Sequence, residues 1–234
     1  MMPMIECQNS KVAVYACTRN KYEELRVAIH SLQVNNPDVN VIVFAEDDDI
    51  GMNVHVINLK GGCEYTDGVN SGSRWTYMTN IRLALTKYLD CDKALYLDID
   101  TIVDDDISEL WDLDLSDYYV AGVKEPIKSN ESIYVNSGVL LFNLSKLRDG
   151  TDEVLLEKIR TESRDFPDQD ILNEVLAGHI FELPSTYNAN SWTAQIHEPK
   201  IVHYAGFEDW KNFIYAVKFL YAKENKNFNY IHRI

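Results

Sequence analysis

The segment from Lys11 to Cys17 is an unbroken apolar run, Val12-Ala13-Val14-Tyr15-Ala16, of the kind that forms a buried strand. Tyr22 to Val34 follows with Leu25, Ala28, Ile29 and Leu32 on one helical stripe, and Asn35-Asn36-Pro37-Asp38 breaks it. Val39 to Ala45 is a second strand, closed by the acidic turn Glu46-Asp47-Asp48-Asp49, and Val54 to Leu59 is a weaker third. This strand–helix–strand order opens a parallel sheet, which commits the chain to an α/β architecture. At 234 residues the chain fits one large α/β domain, or one domain with a small appendage.

The same logic carries on downstream. Gly61 to Ser73 is rich in Gly, Ser and Asn and reads as a loop; it lacks the Gly-Lys-Ser/Thr ending of a phosphate-binding loop. Arg74 to Tyr88 reads as a helix, with Tyr77, Ile81, Leu85 and Tyr88 in register. It feeds the strand Ala94-Leu95-Tyr96-Leu97. Ser108 to Leu115 is a short helical turn that Ser108 is placed to cap. Tyr118 to Val123 and Tyr134 to Asn143 are strands. Thr151 to Glu162 and Asp168 to Ala177 are helices, the second ended by Gly178. Ile180 to Leu183 and Ile201 to Tyr204 are short strands.

The fourth strand ends abruptly in Asp98-Ile99-Asp100. In an extended segment, successive side chains alternate, so Asp98 and Asp100 fall on one side. Two hard oxygen ligands held together suit Mn²⁺ or Mg²⁺. The plain alternative is two acids ending a strand in solvent. A third ligand is needed, and His203, at the end of Ile201-Val202-His203 with Gly206 close behind, is the best candidate; a neutral imidazole suits Mn²⁺ better than Mg²⁺. A hydrogen-bonded histidine at a strand end is the competing reading.

Three further positions carry chemistry. Asn136-Ser137-Gly138 interrupts an apolar strand, so the Asn136 amide must find partners, either a sugar hydroxyl or its own backbone neighbours. Gly138 permits close approach by a ligand or another backbone. Asp168-Gln169-Asp170 opens a helix, where one acid caps it; Gln169 gains nothing from the helix dipole, and an amide that both donates and accepts is useful beside a sugar. Arg82, on the helix before the metal strand, is either a solvated charge or one that grips a phosphorylated donor.

Composition removes several classes. With 37 acids against 22 bases the net charge is −15, which repels nucleic acid and anionic lipid and makes a phosphorylated substrate depend on a cation or local donors. Cys7, Cys17, Cys63 and Cys91 form no Cys-x-x-Cys pair and are too scattered for a disulfide framework. The opening Met1-Met2-Pro3-Met4-Ile5-Glu6 has neither a basic n-region nor a long apolar stretch, so a cytoplasmic setting is expected. No Gly-x-Ser-x-Gly elbow, His-Glu-x-x-His helix or Gly-x-Gly-x-x-Gly loop is present.

Four segments in order, Leu95-Tyr96-Leu97-Asp98-Ile99-Asp100-Thr101, Asn136-Ser137-Gly138-Val139-Leu140-Leu141-Phe142-Asn143, Asp168-Gln169-Asp170-Ile171-Leu172-Asn173 and His203-Tyr204-Ala205-Gly206 before Trp210, resemble glycosyltransferase family 8 over about residues 11 to 212. The resemblance implies a GT-A fold, a Rossmann-like, mostly parallel central sheet flanked by helices over residues 1–212. The aromatic, Lys-dotted segment 213–234 is then a helical tail packed on that domain. It implies a UDP-sugar donor, a saccharide or protein hydroxyl acceptor, a Mn²⁺ ion and hexose transfer with retention of configuration.

By position, the resemblance makes Asp98, Asp100 and His203 the metal ligands. Ala16, Cys17, Thr18 and Tyr22 become the uridine and ribose pocket. Arg82, Asn136, Asp168 and Gln169 become the donor-contacting and reaction-centre residues. Ile99 and Gly206 lie within the donor-binding segments. The family's Lys before the final Trp is missing from Phe207-Glu208-Asp209-Trp210, leaving Lys211 to reach the diphosphate. That departure keeps a rival reading open, a nucleotide-sugar-binding module of the same fold without turnover. A third is a protein that meets a partner or a membrane through its C-terminal tail. Sugar choice depends on which hydroxyls meet hydrogen-bond partners, and those partners come from loops.

Overall fold

The computed structural model describes residues 4–7, 10–60, 62–70, 77–125, 133–190 and 196–205. Nine strands are present among them: β1 (Val12–Ala16), β2 (Asn40–Ala45), β3 (His55–Asn58), β4 (Lys93–Leu97), β5 (Thr101–Val103), β6 (Val120–Lys124), β7 (Val135–Asn143), β8 (Ile180–Glu182) and β9 (Ile201–His203). Seven form one sheet in the order β3-β2-β1-β4-β7-β6-β8. Only β7 runs against the others: its ladders with β4 and β6 are antiparallel, and all remaining pairings in this sheet are parallel. The mostly parallel α/β sheet expected from the sequence is therefore present.

Helices cover both faces, which is why the strands are apolar runs. Alternate residues of β1 part company: Ala13 and Tyr15 pack with Leu25, Ile29 and Leu32 of α1 (Tyr22–Asn35). Val12, Val14 and Ala16 pack on the other face with Ile81 and Leu85, with Leu155 and Ile159 of α4 (Thr151–Thr161), and with Ile171 and Leu172 of α5 (Pro167–Val175). Leu25, Ile29 and Leu32 are fully buried, each a contribution of about 1.5–3 kcal/mol. Two shorter helices are α2 (Tyr77–Asn80) and α3 (Leu144–Leu147). No described helix is long and apolar enough to cross a membrane. The tail 213–234 and the segment from Gly206 onward lie outside the described residues.

Two local expectations are corrected. The helix expected over Arg74 to Tyr88 is, where described, one α turn (α2) followed by 3₁₀ winding over Ile81–Lys87. Residues Ile81 to Thr86 are all buried, so contact on every side replaces the single amphipathic stripe of an ordinary surface helix. Ser108 does not cap the turn Ser108–Asp112 with its side chain; its backbone N–H instead donates to Asp106 Oδ1 at 2.8 Å. At the start of α5 it is Asp170 that reaches back, its Oδ2 accepting from Phe166 N–H at 3.1 Å, while Pro167 takes the first helical position. Asp168 is left free to turn inward. Beyond α5, Gly178 adopts a left-handed φ of 81°, in keeping with the expected stop.

Candidate active site

The third correction concerns how the two acids converge. Asp98-Ile99-Asp100 is not extended. Thr101 N–H donates back to Asp98 C=O at 3.2 Å and Thr101 Oγ1 to the same oxygen at 2.7 Å, so the chain turns between β4 and β5. The turn sends β5 away from the main sheet to pair antiparallel with β9, with Thr101 opposite His203. Tyr204 N–H closes the ladder onto Asp100 C=O at 3.0 Å. The two-stranded ladder carries His203 to the acids: its Nε2 lies 3.3 Å from Asp100 Oδ1 and 3.9 Å from Asp98 Oδ2. One ligand atom from each of Asp98, Asp100 and His203 lies within 4.8 Å of the others, the grouping that the sequence singles out.

Arg82 underlies these groups and is itself 3% exposed. Its Nη2 donates to Asp98 Oδ1 at 2.8 Å, its Nε lies 3.2 Å from Asp168 Oδ2, and Nη1 donates to Ser137 C=O. The guanidinium stands 4.3 Å from the centre of the Tyr96 ring. Burial raises the Asp98 carboxyl above its ordinary range; Arg82 opposes the shift and Asp100 reinforces it. Burial works against a charged His203, but Asp100 and Asp98 outweigh it and raise the imidazole above its usual value. With the imidazole neutral, Asp98, Asp100 and Asp168 face one buried guanidinium. The surplus negative charge and the O, O, N donor set fit a divalent cation.

A polar chain runs from α5 across β7 to His203. Asp168 and Gln169 are both buried, and Ser137 Oγ donates to Asp168 Oδ2 at 2.9 Å. Gln169 Oε1 accepts from Ser137 N–H at 2.9 Å and from Asn136 Nδ2 at 3.3 Å; its Nε2 donates to Glu125 Oε2 at 2.7 Å and to Tyr134 OH at 3.2 Å. Asn136 Oδ1 accepts from Gly138 N–H and from Asn188 Nδ2, both at 3.0 Å. Asn188, fully buried, turns its Oδ1 to His203 Nδ1 at 2.9 Å. The Asn136 amide thus uses its backbone neighbour and two other side chains. Sequence reasoning missed Asn188, Glu125 and Tyr134. A lone asparagine in Tyr187-Asn188-Ala189 carries no pattern; that segment comes beside β9 through long-range backbone bonds, Ala189 N–H to Ile201 C=O at 2.9 Å and His203 N–H to Ala189 C=O at 2.8 Å.

The remaining candidates cluster at neighbouring strand ends. β1 lies between β2 and β4, so Ala16-Cys17-Thr18 emerges beside Glu46 on one side and Asp98 on the other. The β1/β4 junction is where strand order reverses, the position at which open α/β sheets take ligands. Tyr22 OH accepts from Glu46 N–H at 3.1 Å, and Tyr77 OH donates to Glu46 Oε1 at 2.9 Å. Thr18 Oγ1 donates to Asn20 Oδ1 at 2.7 Å. Cys17 is buried, and burial, with Glu24 and Glu46, pushes its thiol up to about 12, so it stays protonated and is no nucleophile. Ile99 sits in the Asp98–Thr101 turn, partly buried against the core. Gly206 and Lys211 lie outside the described residues.

A family model described as glycosyl transferase family 8 matches residues 7–212. No individual curated protein matches the chain. Among solved structures, galactosyltransferase LgtC in complex with donor and acceptor sugar analogues is 24% identical, with a TM-score of 0.66 over 89% of this chain and 95% of LgtC. The glycosyltransferase GlyE of Streptococcus pneumoniae TIGR4 is 21% identical, with a TM-score of 0.68 over 92% of this chain and 64% of GlyE. Mouse xyloside xylosyltransferase 1 is 16% identical, with a TM-score of 0.61 over 85% of this chain and 97% of that protein. At such identities the likeness speaks for the fold, and it is the GT-A fold that the sequence leads one to expect. Because the family match runs from ahead of β1 to beyond β9, through the whole architecture described above, the chain belongs to glycosyl transferase family 8.

Proposed function

We propose that this protein moves a hexose from a UDP-sugar to an acceptor hydroxyl with retention of configuration, using a divalent cation, Mn²⁺ in preference to Mg²⁺, held by Asp98, Asp100 and His203. The observation that carries the reading is the meeting of those three side chains at the C-terminal edge of the parallel strands, beside the β1/β4 junction. When bound, such a cation supplies Lewis-acid stabilisation of the negative charge that grows on the departing diphosphate.

The chain's own residues do the rest. Arg82 sits between Asp98 and Asp168, 2.8 Å from one carboxylate and 3.2 Å from the other, and offsets part of the negative charge gathered there. Ala16, Cys17, Thr18 and Tyr22 form the wall against which the uridine rests. Asn136, Asp168 and Gln169 border the sugar. Gln169 Oε1 already accepts two hydrogen bonds, from Ser137 N–H and Asn136 Nδ2, which commits both lone pairs. An amide so engaged is a poor nucleophile. Front-face transfer, in which the acceptor hydroxyl attacks from the side that UDP leaves through an oxocarbenium-like transition state, is therefore favoured over double displacement.

The test is Asp100→Ala. Mn²⁺-dependent release of UDP from a UDP-sugar panel should vanish while the circular dichroism spectrum is kept, and calorimetric Mn²⁺ binding should be lost with it. Full activity in that variant removes Asp100 from the site.

A further inference from the structure

The orientation of every amide around His203 follows from two backbone groups of β7. A backbone N–H can only donate, so the Asn136 atom facing Gly138 N–H is its oxygen. The Asn188 atom that faces the same oxygen must then be its NH₂, which leaves Asn188 Oδ1 against His203 Nδ1. An amide oxygen only accepts, so Nδ1 carries the proton. Independently, Ser137 N–H fixes Gln169 Oε1 as the acceptor for Asn136 Nδ2, which agrees with the same assignment. Nε2 of a neutral ring is thereby left with its lone pair directed at Asp98 and Asp100.

We propose that Asn188 is a positioning residue, which holds His203 in the Nδ1–H tautomer with Nε2 turned to the two carboxylates, and which couples that choice to the Asn136 amide. Asn188 touches none of the reacting atoms; it acts through His203 on one side and Asn136 on the other. Its full burial makes both bonds costly to break. As regards the cation, the inference rests on the reading of Asp98, Asp100 and His203 as ligands; as regards the tautomer, it stands on hydrogen bonds alone.

The experiment has two readouts on the full chain. Long-range ¹H–¹⁵N NMR of the imidazoles in metal-free protein at alkaline pH, with His203 identified by its loss in His203→Gln, reads the tautomer directly. Nδ1–H is expected, and a ring protonated on Nε2 overturns the inference whatever the protein binds. Titration with Mn²⁺ followed by electron paramagnetic resonance reads the affinity. Asn188→Leu should weaken Mn²⁺ binding about 10–100-fold, the usual effect of removing a partner that orients a metal ligand. Asn188→Asp keeps the acceptor for Nδ1, so it should keep the wild-type affinity. It sets oxygen against Asn136 Oδ1, so UDP release should fall while the cation still binds. Unchanged affinity in Asn188→Leu, or equal loss in both variants, overturns the positioning role. A wild-type protein with the Nδ1–H tautomer and no Mn²⁺ binding instead sinks the metal reading and leaves the positioning of the ring intact.

Discussion

The imidazole of His203 occupies the space that a side chain on residue 138 would need: a β-carbon built on Gly138 would stand 2.1 Å from His203 Cε1 and 2.7 Å from Nε2. Gly138 has no left-handed backbone angle to account for it, so the requirement is one of space. The close approach that a glycine in an apolar strand permits is here taken by a side chain of the candidate site. Gly138→Ala should displace the ring from Asp100. We expect a stability loss of about 1–3 kcal/mol from overpacking, and a fall in Mn²⁺ affinity of about 10–100-fold. Thermal melts with and without Mn²⁺ check both. A variant that melts and binds like wild type would show that the ring does not depend on this gap.

Arg82 is the buried counter-charge of two acids. Arg82→Met should lower stability by about 3–5 kcal/mol by stranding Asp98 and Asp168. Arg82→Lys should recover only part of that, because an ammonium cannot span Asp98, Asp168 and Ser137 C=O as the planar guanidinium does. Urea midpoints of the three proteins decide the matter; a lysine variant as stable as wild type would reduce Arg82 to a point charge.

Glu109 secures the approach to β9, taking hydrogen bonds from Lys200, which precedes that strand, and from Tyr187. Burial opposes its charge, but those two partners outweigh it and hold the carboxyl below its ordinary 4.5. A carboxyl lowered on folding stabilises above its unfolded pKa, and the gain fades as pH falls through the folded one. Glu109→Gln should thus be less stable than wild type at neutral pH, by at most about 1 kcal/mol for a pair this exposed, and equal to it in strong acid. Unfolding free energies across pH would show a constant gap if the ion pair were irrelevant.

Asp168 has one oxygen already taken by Ser137 Oγ and Arg82. Incubation with a UDP-sugar and Mn²⁺, followed by intact-mass and peptide mass spectrometry, should show no sugar attached to Asp168 or Gln169. A trapped adduct on Asp168 would replace front-face transfer with double displacement.

Most of the sheet was legible because burial on two faces leaves a direct mark, an apolar run such as Val12–Ala16 or Val139–Phe142 between turn residues. The two acids, His203 and Asn136 stood out for the complementary reason: polar groups at the end or in the middle of such runs need partners. The winding over Ile81–Lys87 was not legible, because helical periodicity presumes one buried stripe and contact here comes from all sides. Nor was the role of Asn188, whose hydrogen bonds span 15 residues to His203 and 52 to Asn136.

By itself, then, the sequence determined which groups this protein has to offer: a parallel α/β sheet, two acids at the end of its fourth strand, and a histidine far along the chain. Only the tertiary structure decided that they meet, since a turn at Asp98–Thr101 and the pairing of β5 with β9 are long-range events that no local spacing encodes. It also decided how they are aimed, because direction passes from the N–H groups of β7 through Asn136 and Asn188 to the imidazole, and a hydrogen bond has a donor and an acceptor only once two segments are in contact.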